Sequence, residues 1–382
     1  MKSVLHVASG LAVLLALAGP GAGGNGPACP RGAERSFALG GVAEITERNP
    51  RCRIEIRETG IRLEAIEDGS RPDPGRTVMV DSNGRFISAN APGFRTAISV
   101  WDTRGRYLYS FGREGEGPGE LSARGSLSLF IDGRDNVHVR DGSPSWSVFS
   151  SRHEFIRRVP SDVMVGLPGS TAILDDGSAL ASPGRGSDRV AHDFRVADTT
   201  GALLRTFGTV RDKSGDRPRQ IAYVGGDTFW AGPLEGTTGA YILEEWGIDG
   251  KLRRTLRRSV SWYRWRGGRE TSSAVRQLYI GPGGILYILI VRPTEQYARA
   301  VKNGERISRE RRDALTEVVV EVVDTRAGEL LASEVYPARE ARQLLPRSLF
   351  RGSLVGYRYG EGEDGLPFVE IVRVELLPQV KG

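Results

Sequence analysis

Apolar and polar positions alternate in short runs along most of this chain, and each run stops at a turn carrying Asp, Asn or Gly. Alternation with a period of two marks half-buried strands, and these turn residues tolerate the left-handed backbone that tight hairpins need. In the clearest unit Ser99, Val100 and Trp101 precede the turn Asp102-Thr103-Arg104-Gly105, and Tyr107 and Leu108 follow it. The phrase returns at Val148-Phe149-Ser150-Ser151-Arg152-His153 with Phe155 and Ile156, and at Val196-Ala197-Asp198-Thr199-Thr200-Gly201 with Leu203 and Leu204. A fourth copy is Trp246-Gly247-Ile248-Asp249-Gly250 with Leu252, so turn positions 105, 153, 201 and 250 are spaced by 48, 48 and 49 residues. A fifth, Val323-Asp324-Thr325-Arg326-Ala327-Gly328 with Leu330 and Leu331, follows after 78 residues, one period plus an insertion at 292–316.

Each unit holds an earlier turn: Asp81-Ser82-Asn83-Gly84, Asp132-Gly133-Arg134-Asp135, Asp175-Asp176-Gly177, Gly225-Gly226-Asp227 and Gly281-Pro282-Gly283-Gly284. Runs rich in β-branched residues flank these turns, which makes about four short strands per repeat. One such sheet cannot bury both of its faces alone, whereas sheets stacked around an axis cover one another. The pattern predicts an all-β, six-bladed β-propeller with four-stranded antiparallel blades. The last unit offers only three strands, at 348–350, 354–359 and 368–377. The N-terminal alternation of Ile54, Ile56, Ile61, Leu63 and Ile66 is the expected fourth, closing the ring. Residues 25–382 then form a single propeller domain, and a Gly count of 50 argues against helical repeats.

Lys2, an apolar run at 4–17, and Ala16 and Ala18 read as an export signal, so 1–24 is assigned to a signal peptide and spacer. The two cysteines, Cys29 and Cys52, are expected to form a disulfide in an oxidising compartment, periplasmic or extracellular, with two free thiols as the alternative. No later run is long enough to span a bilayer. The formal charge of +6 comes mainly from Arg interspersed with Asp and Glu, which gives no concentrated footprint for nucleic acid. A monomer is expected.

The stretch Phe111-Gly112-Arg113-Glu114-Gly115-Glu116-Gly117-Pro118-Gly119-Glu120-Leu121 resembles the phrase joining blades in NHL-repeat proteins. Ile131-Asp132-Gly133 and Asn136-Val137-His138-Val139 resemble the turn and strand that follow it in that family. The likeness covers one connector well; Thr206-Phe207-Gly208 echoes it, and the rest agrees in rhythm. It implies a six-bladed propeller akin to exported bacterial proteins that mostly have no assigned activity. His153 departs from the pattern, standing where a turn Gly is expected.

Some propellers of this blade type are enzymes, but no catalytic or metal-binding set emerges from these residues. His138 lies in a strand, His153 in a turn and His192 at a strand start, which disfavours a shared zinc site. Asp81, Asp132 and Asp176 repeat with the period and suit hairpin turns. No G-x-S-x-G elbow is present, and the glycines at 115–119 lack the Lys-Ser or Lys-Thr of a phosphate loop. One ligand-binding set is proposed: Arg76, Arg124, Arg219, Arg276 and Arg347 each precede the first strand of a unit. As that strand lines the channel of a propeller, the five would ring one mouth and attract an anionic ligand. The insertion reads as a short amphipathic helix with Tyr297, Ala300 and Val301 on one face, or as a mobile loop. Trp262, Tyr263 and Trp265 read as interblade packing or as a stacking surface. The expected function is an exported binding or scaffold module for a protein, peptide or polysaccharide ligand, without a cofactor. The alternative is a lactonase-like hydrolase or lyase holding a metal such as calcium in its channel.

Overall fold

Val318, Val319, Val320, Val322 and Val323 lie in one strand and alternate between its two faces, so apolar cover is needed on both sides. A ring of sheets supplies that cover. The computed structural model describes residues 29, 32–47, 51–64, 78–90, 96–122, 127–141, 145–160, 170–183, 191–211, 219–223, 225–232, 239–263, 272–338, 348–350, 353–362 and 365–379. The segment 1–24 assigned to the export signal lies outside these residues.

Two strands, β1 (Val42–Glu44) and β2 (Cys52–Glu64), precede the repeats. The first blade holds β3 (Val78–Val80), β4 (Phe86–Ala89), β5 (Thr96–Trp101), β6 (Tyr107–Glu114) and β7 (Glu120–Leu121). The second holds β8 (Ser128–Ile131), β9 (Val137–Arg140), β10 (Ser145–Phe149) and β11 (Phe155–Pro160). In the third are β12 (Thr171–Ile173), β13 (Ala179–Ala181), β14 (Ala191–Ala197) and β15 (Leu203–Arg211). In the fourth are β16 (Ile221–Ala222), β17 (Thr228–Ala231), β18 (Ala240–Gly247) and β19 (Leu252–Ser259). The fifth has β20 (Ala274–Gly281), β21 (Ile285–Pro293), β22 (Thr316–Asp324) and β23 (Glu329–Pro337). The sixth has β24 (Ser348–Phe350), β25 (Ser353–Glu361) and β26 (Pro367–Pro378).

The six-bladed propeller expected from the repeat is the fold found, with blades mostly of four antiparallel strands. The first strands line the axis: β3 touches β24 and β8, and β12 touches β8 and β16, which in turn touches β20. The ring closes as the alternation of Ile54, Ile56, Ile61 and Leu63 predicts; Ile66, the last residue of that alternation, lies outside the described residues. β2 pairs antiparallel with β26, from Cys52 opposite Pro378 to Glu64 opposite Phe368. Cys52 is disulfide-bonded to Cys29, with Cα atoms 6.0 Å apart. Two blades exceed the expected four strands. β1 adds in parallel to β19, and β7 adds in parallel to β6. In the connector that makes β7, the Glu120 carboxylate accepts the Gly117 N–H at 2.7 Å and the Arg113 Nε–H at 2.7 Å. A Cβ at Gly115 would collide with that carboxylate, which explains the Gly-x-Gly-Pro-Gly-Glu phrase.

The apolar core has no single centre. Six clusters each straddle one pair of neighbouring blades, as where Leu63, Tyr357 and Ile371 of the sixth meet Phe86 and Trp101 of the first. Each fully buried Leu, Ile, Val or Phe in such a cluster contributes about 1.5–3 kcal/mol. Tyr263 and Trp262 belong to the cluster between the fourth and fifth blades, the packing role expected of them; Trp265 lies outside the described residues.

The turns between third and fourth strands fix how blades stack. Their last residue is left-handed: φ is +82° at Gly105, +64° at His153, +88° at Gly201, +87° at Gly250 and +64° at Gly328. At Gly201 a Cβ would lie 2.6 Å from the Pro160 carbonyl oxygen and 2.9 Å from Val159, on the outer strand of the preceding blade. His153 occupies the same place with a buried ring stacked on Phe111, centroids 4.4 Å apart, and its Nδ1 lies 2.8 Å from the Tyr109 hydroxyl. Burial, assisted by the Arg85 charge, lowers its pKa from 6.5 to about 4.

Two outcomes follow for stability. G201A should cost at least about 1–2 kcal/mol from backbone strain alone, read as a lower urea midpoint. His153 is neutral when folded, so its stabilising share is whole above about pH 6.5 and drains as pH falls through about 4. H153G should flatten the decline in melting temperature over that window, and an unchanged decline would show that another group governs it.

Candidate functional site

The propeller presents two unlike faces. On the turn face, the carboxylates are bonded within the fold. Asp81 accepts the Arg85 N–H at 2.8 Å, and its other oxygen takes the Arg85 Nε–H at 2.6 Å. Asp132 accepts the backbone N–H groups of Arg134 and Asn136 at 2.9 Å each and lies 3.0 Å from His138 Nε2. Burial works to raise the Asp132 carboxyl, but the bonds from His138 and Asn136 outweigh it and hold the pKa at about 2. Asp135 accepts the Ser82 N–H at 2.9 Å and Asp175 the Gly226 N–H at 3.0 Å, so neighbouring blades are stitched together through these turns. The repeated aspartates thus do the hairpin work expected of them.

On the opposite face, where first strands begin and second strands end, polar groups are buried near the channel. Asp141 accepts the Ser122 N–H at 2.7 Å, Asn90 the Ser99 hydroxyl at 2.9 Å, and Ser182 the Arg219 N–H at 2.8 Å. Thr171 Oγ1 and Gln220 Oε1 are buried there without a hydrogen-bond partner among the described residues, at the starts of the neighbouring strands β12 and β16. The insertion rises from this face, because β21 ends beside the start of β20. It forms α1 (Glu295–Lys302) and α2 (Arg309–Ala314), capped by the side chains of Thr294 and Ser308. Tyr297 and Ala300 are buried, as the amphipathic reading requires, and Val301 is half-buried. Arg299, Lys302, Arg306 and Arg312 point to solvent and have no ion-pair partner among the described residues. Arg311 pairs with Glu305 at 2.9 Å, and Arg292 with Glu317 while lying 5.6 Å from the Trp262 ring centroid.

Of the five arginines expected to ring the mouth, Arg76, Arg124 and Arg347 lie outside the described residues. Arg276 is exposed on β20 and has a partner of its own. Arg219 turns inward between the third and fourth blades. Its guanidinium lies 2.6 Å from Glu244, 3.6 Å from Asp193 and 5.1 Å from the Phe194 ring centroid. The described histidines do not converge: His138 pairs with Asp132, His153 fills its turn, and His192 is in β14. Among the described residues no group of three or more His, Cys, Asp or Glu is placed to hold a metal, and no helix is long and apolar enough to cross a membrane.

A second buried network was not anticipated from sequence. Glu321, fully buried in β22, accepts the Tyr241 hydroxyl and lies 3.3 Å from Arg258, which reaches Glu47 at 3.0 Å. Burial first, and then the Glu321 charge, push the Tyr241 hydroxyl well above its usual range, so it stays a proton donor. The available signal was Glu321 with valines on both sides, between Val320 and Val322.

R219Q should deprive buried Asp193 and partly buried Glu244 of their shared cation and cost about 3–5 kcal/mol in urea unfolding, whereas R276E should stay within about 0.5 kcal/mol. No family model matches this sequence, including any for the repeat that its connector resembles, and no curated protein matches it. Among solved structures it is similar to a protein from Bacteroides fragilis named only as an exported protein. That similarity has a TM-score of 0.54 at 14% identity and covers 87% of this chain and 99% of that one. A quinonprotein alcohol dehydrogenase-like protein from Bacteroides thetaiotaomicron has a TM-score of 0.35 at 12% identity, over 70% of this chain and 67% of that one. An ulvan lyase of polysaccharide lyase family PL25, bound to a GlcA–Rha3S unit, has 0.38 at 12% identity, over 70% and 73%. The first of these shares the propeller fold, and fold alone is what the likeness establishes.

Proposed function

We propose that this chain is an exported, NHL-like propeller that binds an anionic extracellular polymer on the face where its inner strands begin. One observation carries the reading: Arg299 and Lys302 on α1, Arg306 between the helices and Arg312 on α2 stand at that face, exposed and without ion-pair partners among the described residues. Elsewhere many arginines are paired, as in Arg85–Asp81, Arg254–Glu245 and Arg358–Glu370, and the exposed Arg104, Arg134 and Arg152 stand singly on separate hairpin turns instead of along one ridge. Cations spread along a ridge suit a ligand with repeating negative charge better than a single small anion. Export is supported by the signal-like start, by the Cys29–Cys52 disulfide and by the name of the Bacteroides fragilis propeller.

Affinity electrophoresis in polygalacturonate and in neutral dextran tests the reading. The wild-type chain should be retarded by the acidic polymer alone, and K302E/R306E should weaken that retention at least about tenfold, as added salt should. Equal retention in dextran, or a double variant that binds like wild type, would falsify it.

A further inference from the structure

The outer edge of the third blade carries an inference separate from the ligand face. An outer strand exposes a row of backbone N–H and C=O groups, and most blades of this protein deal with that row visibly. On the fourth blade the N-terminal arm covers β19: Gly40 donates to the Arg253 carbonyl at 2.8 Å, and the Thr255 N–H donates to the Gly41 carbonyl at 2.9 Å. The same arm runs on to the fifth blade, where Thr46 bonds Gly328 and Leu330. On the first blade β7 covers the end of β6. The second blade's β11 ends in Pro160, which lacks an N–H at the position matching Arg257, and the sixth blade's β2 is lined by the charged series Arg53, Glu55 and Arg57.

The third blade has none of these devices among the described residues. Among the described residues no strand pairs with the outer edge of β15. By register, Leu204 and Thr206 hold the places of Arg253 and Thr255, so the carbonyl and N–H that the arm uses on β19 have counterparts here that no described residue meets. The side chains agree. The sequence Gly-x-Leu-Leu occurs at 201–204 and at 328–331 in the same turn. In the fifth blade Leu330 and Leu331 are only 3% and 1% exposed, the former packed with Ile45 of the arm and the latter in the cluster that Cys29 joins. In the third blade Leu203 and Leu204 are 50% and 59% exposed.

We propose that this edge is a binding site for an extended segment of a partner polypeptide, added in parallel to β15 as β1 lies on β19. The chain's own arm indicates the chemistry of the occupant. Where it meets β19 it is Phe37-Ala38-Leu39-Gly40-Gly41-Val42-Ala43, small and apolar, with the Phe37 ring 5.0 Å from the Arg254 guanidinium. Arg205 is the counterpart of Arg254, exposed, and held level by its bond to the Ile248 carbonyl at 3.1 Å, as Arg254 is by the Thr325 carbonyl at 2.7 Å. The partner segment therefore carries an aromatic residue for Arg205, followed by glycines or other small residues that let its backbone reach Leu204 and Thr206.

The test uses a labelled peptide copying residues 34–47 of this chain, titrated into the full disulfide-bonded protein and followed by fluorescence polarisation. Binding should saturate, and L204K should weaken it at least tenfold. T206P, which deletes the N–H matching that of Thr255, should do likewise. Both sites are exposed on the edge, so unchanged thermal unfolding separates lost binding from lost fold. Absence of binding overturns the proposal, as does binding that both variants leave intact, the result expected if the peptide merely displaces the arm from β19. Light scattering that shows a wild-type dimer and an L204K monomer also overturns it, because the occupant would then be a second copy.

Discussion

A propeller of near-identical sheets holds together only if each blade can lie flat against the one before it, and here the turn joining third and fourth strands sets that contact. Its last residue is left-handed, and at Gly105 and Gly201 it faces the outer strand of the preceding blade so closely that a side chain has no ordinary place to go. Gly105 sits on Arg62, Gly201 on Val159 and Pro160, and Gly250 less tightly on Phe207. His153 shows the limit of the rule: a side chain is accepted where its flat ring replaces the contact by stacking on Phe111. The interface between the fifth and sixth blades has no such turn, because the fourth strand of the sixth blade comes from the other end of the chain. That is also where Cys29 packs and is bonded to Cys52, so a covalent link and a long ladder stand in for the missing turn. Closing a loop of this size removes about 3 kcal/mol of chain entropy from the unfolded state in the entropic model.

The buried charges belong to the same problem. Arg219 with Glu244 and Asp193, and Arg258 with Glu321 and Tyr241, each span two neighbouring blades. Removing such groups from water nearly cancels their attraction, so they add little net stability, but an unmatched partner is costly. Among sheets of similar apolar surface, that asymmetry discriminates between the correct neighbour and a look-alike. The hydrophobic clusters supply affinity between blades, and these pairs supply the identity of the partner.

The sequence made the repeating parts legible and left the interruptions obscure, for a physical reason. A tight hairpin requires Asp, Asn or Gly at fixed positions, so the turns at 105, 153, 201 and 250 announced the period directly. The alternation of Ile54, Ile56, Ile61 and Leu63 likewise revealed the closing strand. β1 and β7 left no trace, since a few residues pairing in parallel need neither a hairpin nor a long alternation. Arg219 was seen at the start of its strand, yet spacing cannot say whether a long side chain points to the channel or back between blades. Its direction depends on Glu244 and Asp193, which register alone brings near.

Function is to be sought where repetition fails. A repeat that satisfies its own polar groups and buries its own apolar faces has nothing left to offer a partner, and the turn face, with its carboxylates bonded to their own loops, is of that kind. The insertion between β21 and β22 breaks the period and brings cations that the fold does not neutralise. The third blade breaks the pattern differently, keeping the leucines of its turn while lacking the arm that covers their counterparts in the fifth. Exposed leucines at a bare strand edge invite aggregation, and the fourth blade carries the charged Arg253 at the place of Leu204. Leu108 and Ile156 hold that place in the first and second blades at 45% exposure each, and the greater exposure of Leu203 and Leu204, at 50% and 59%, is what a docked segment on the third blade would cover.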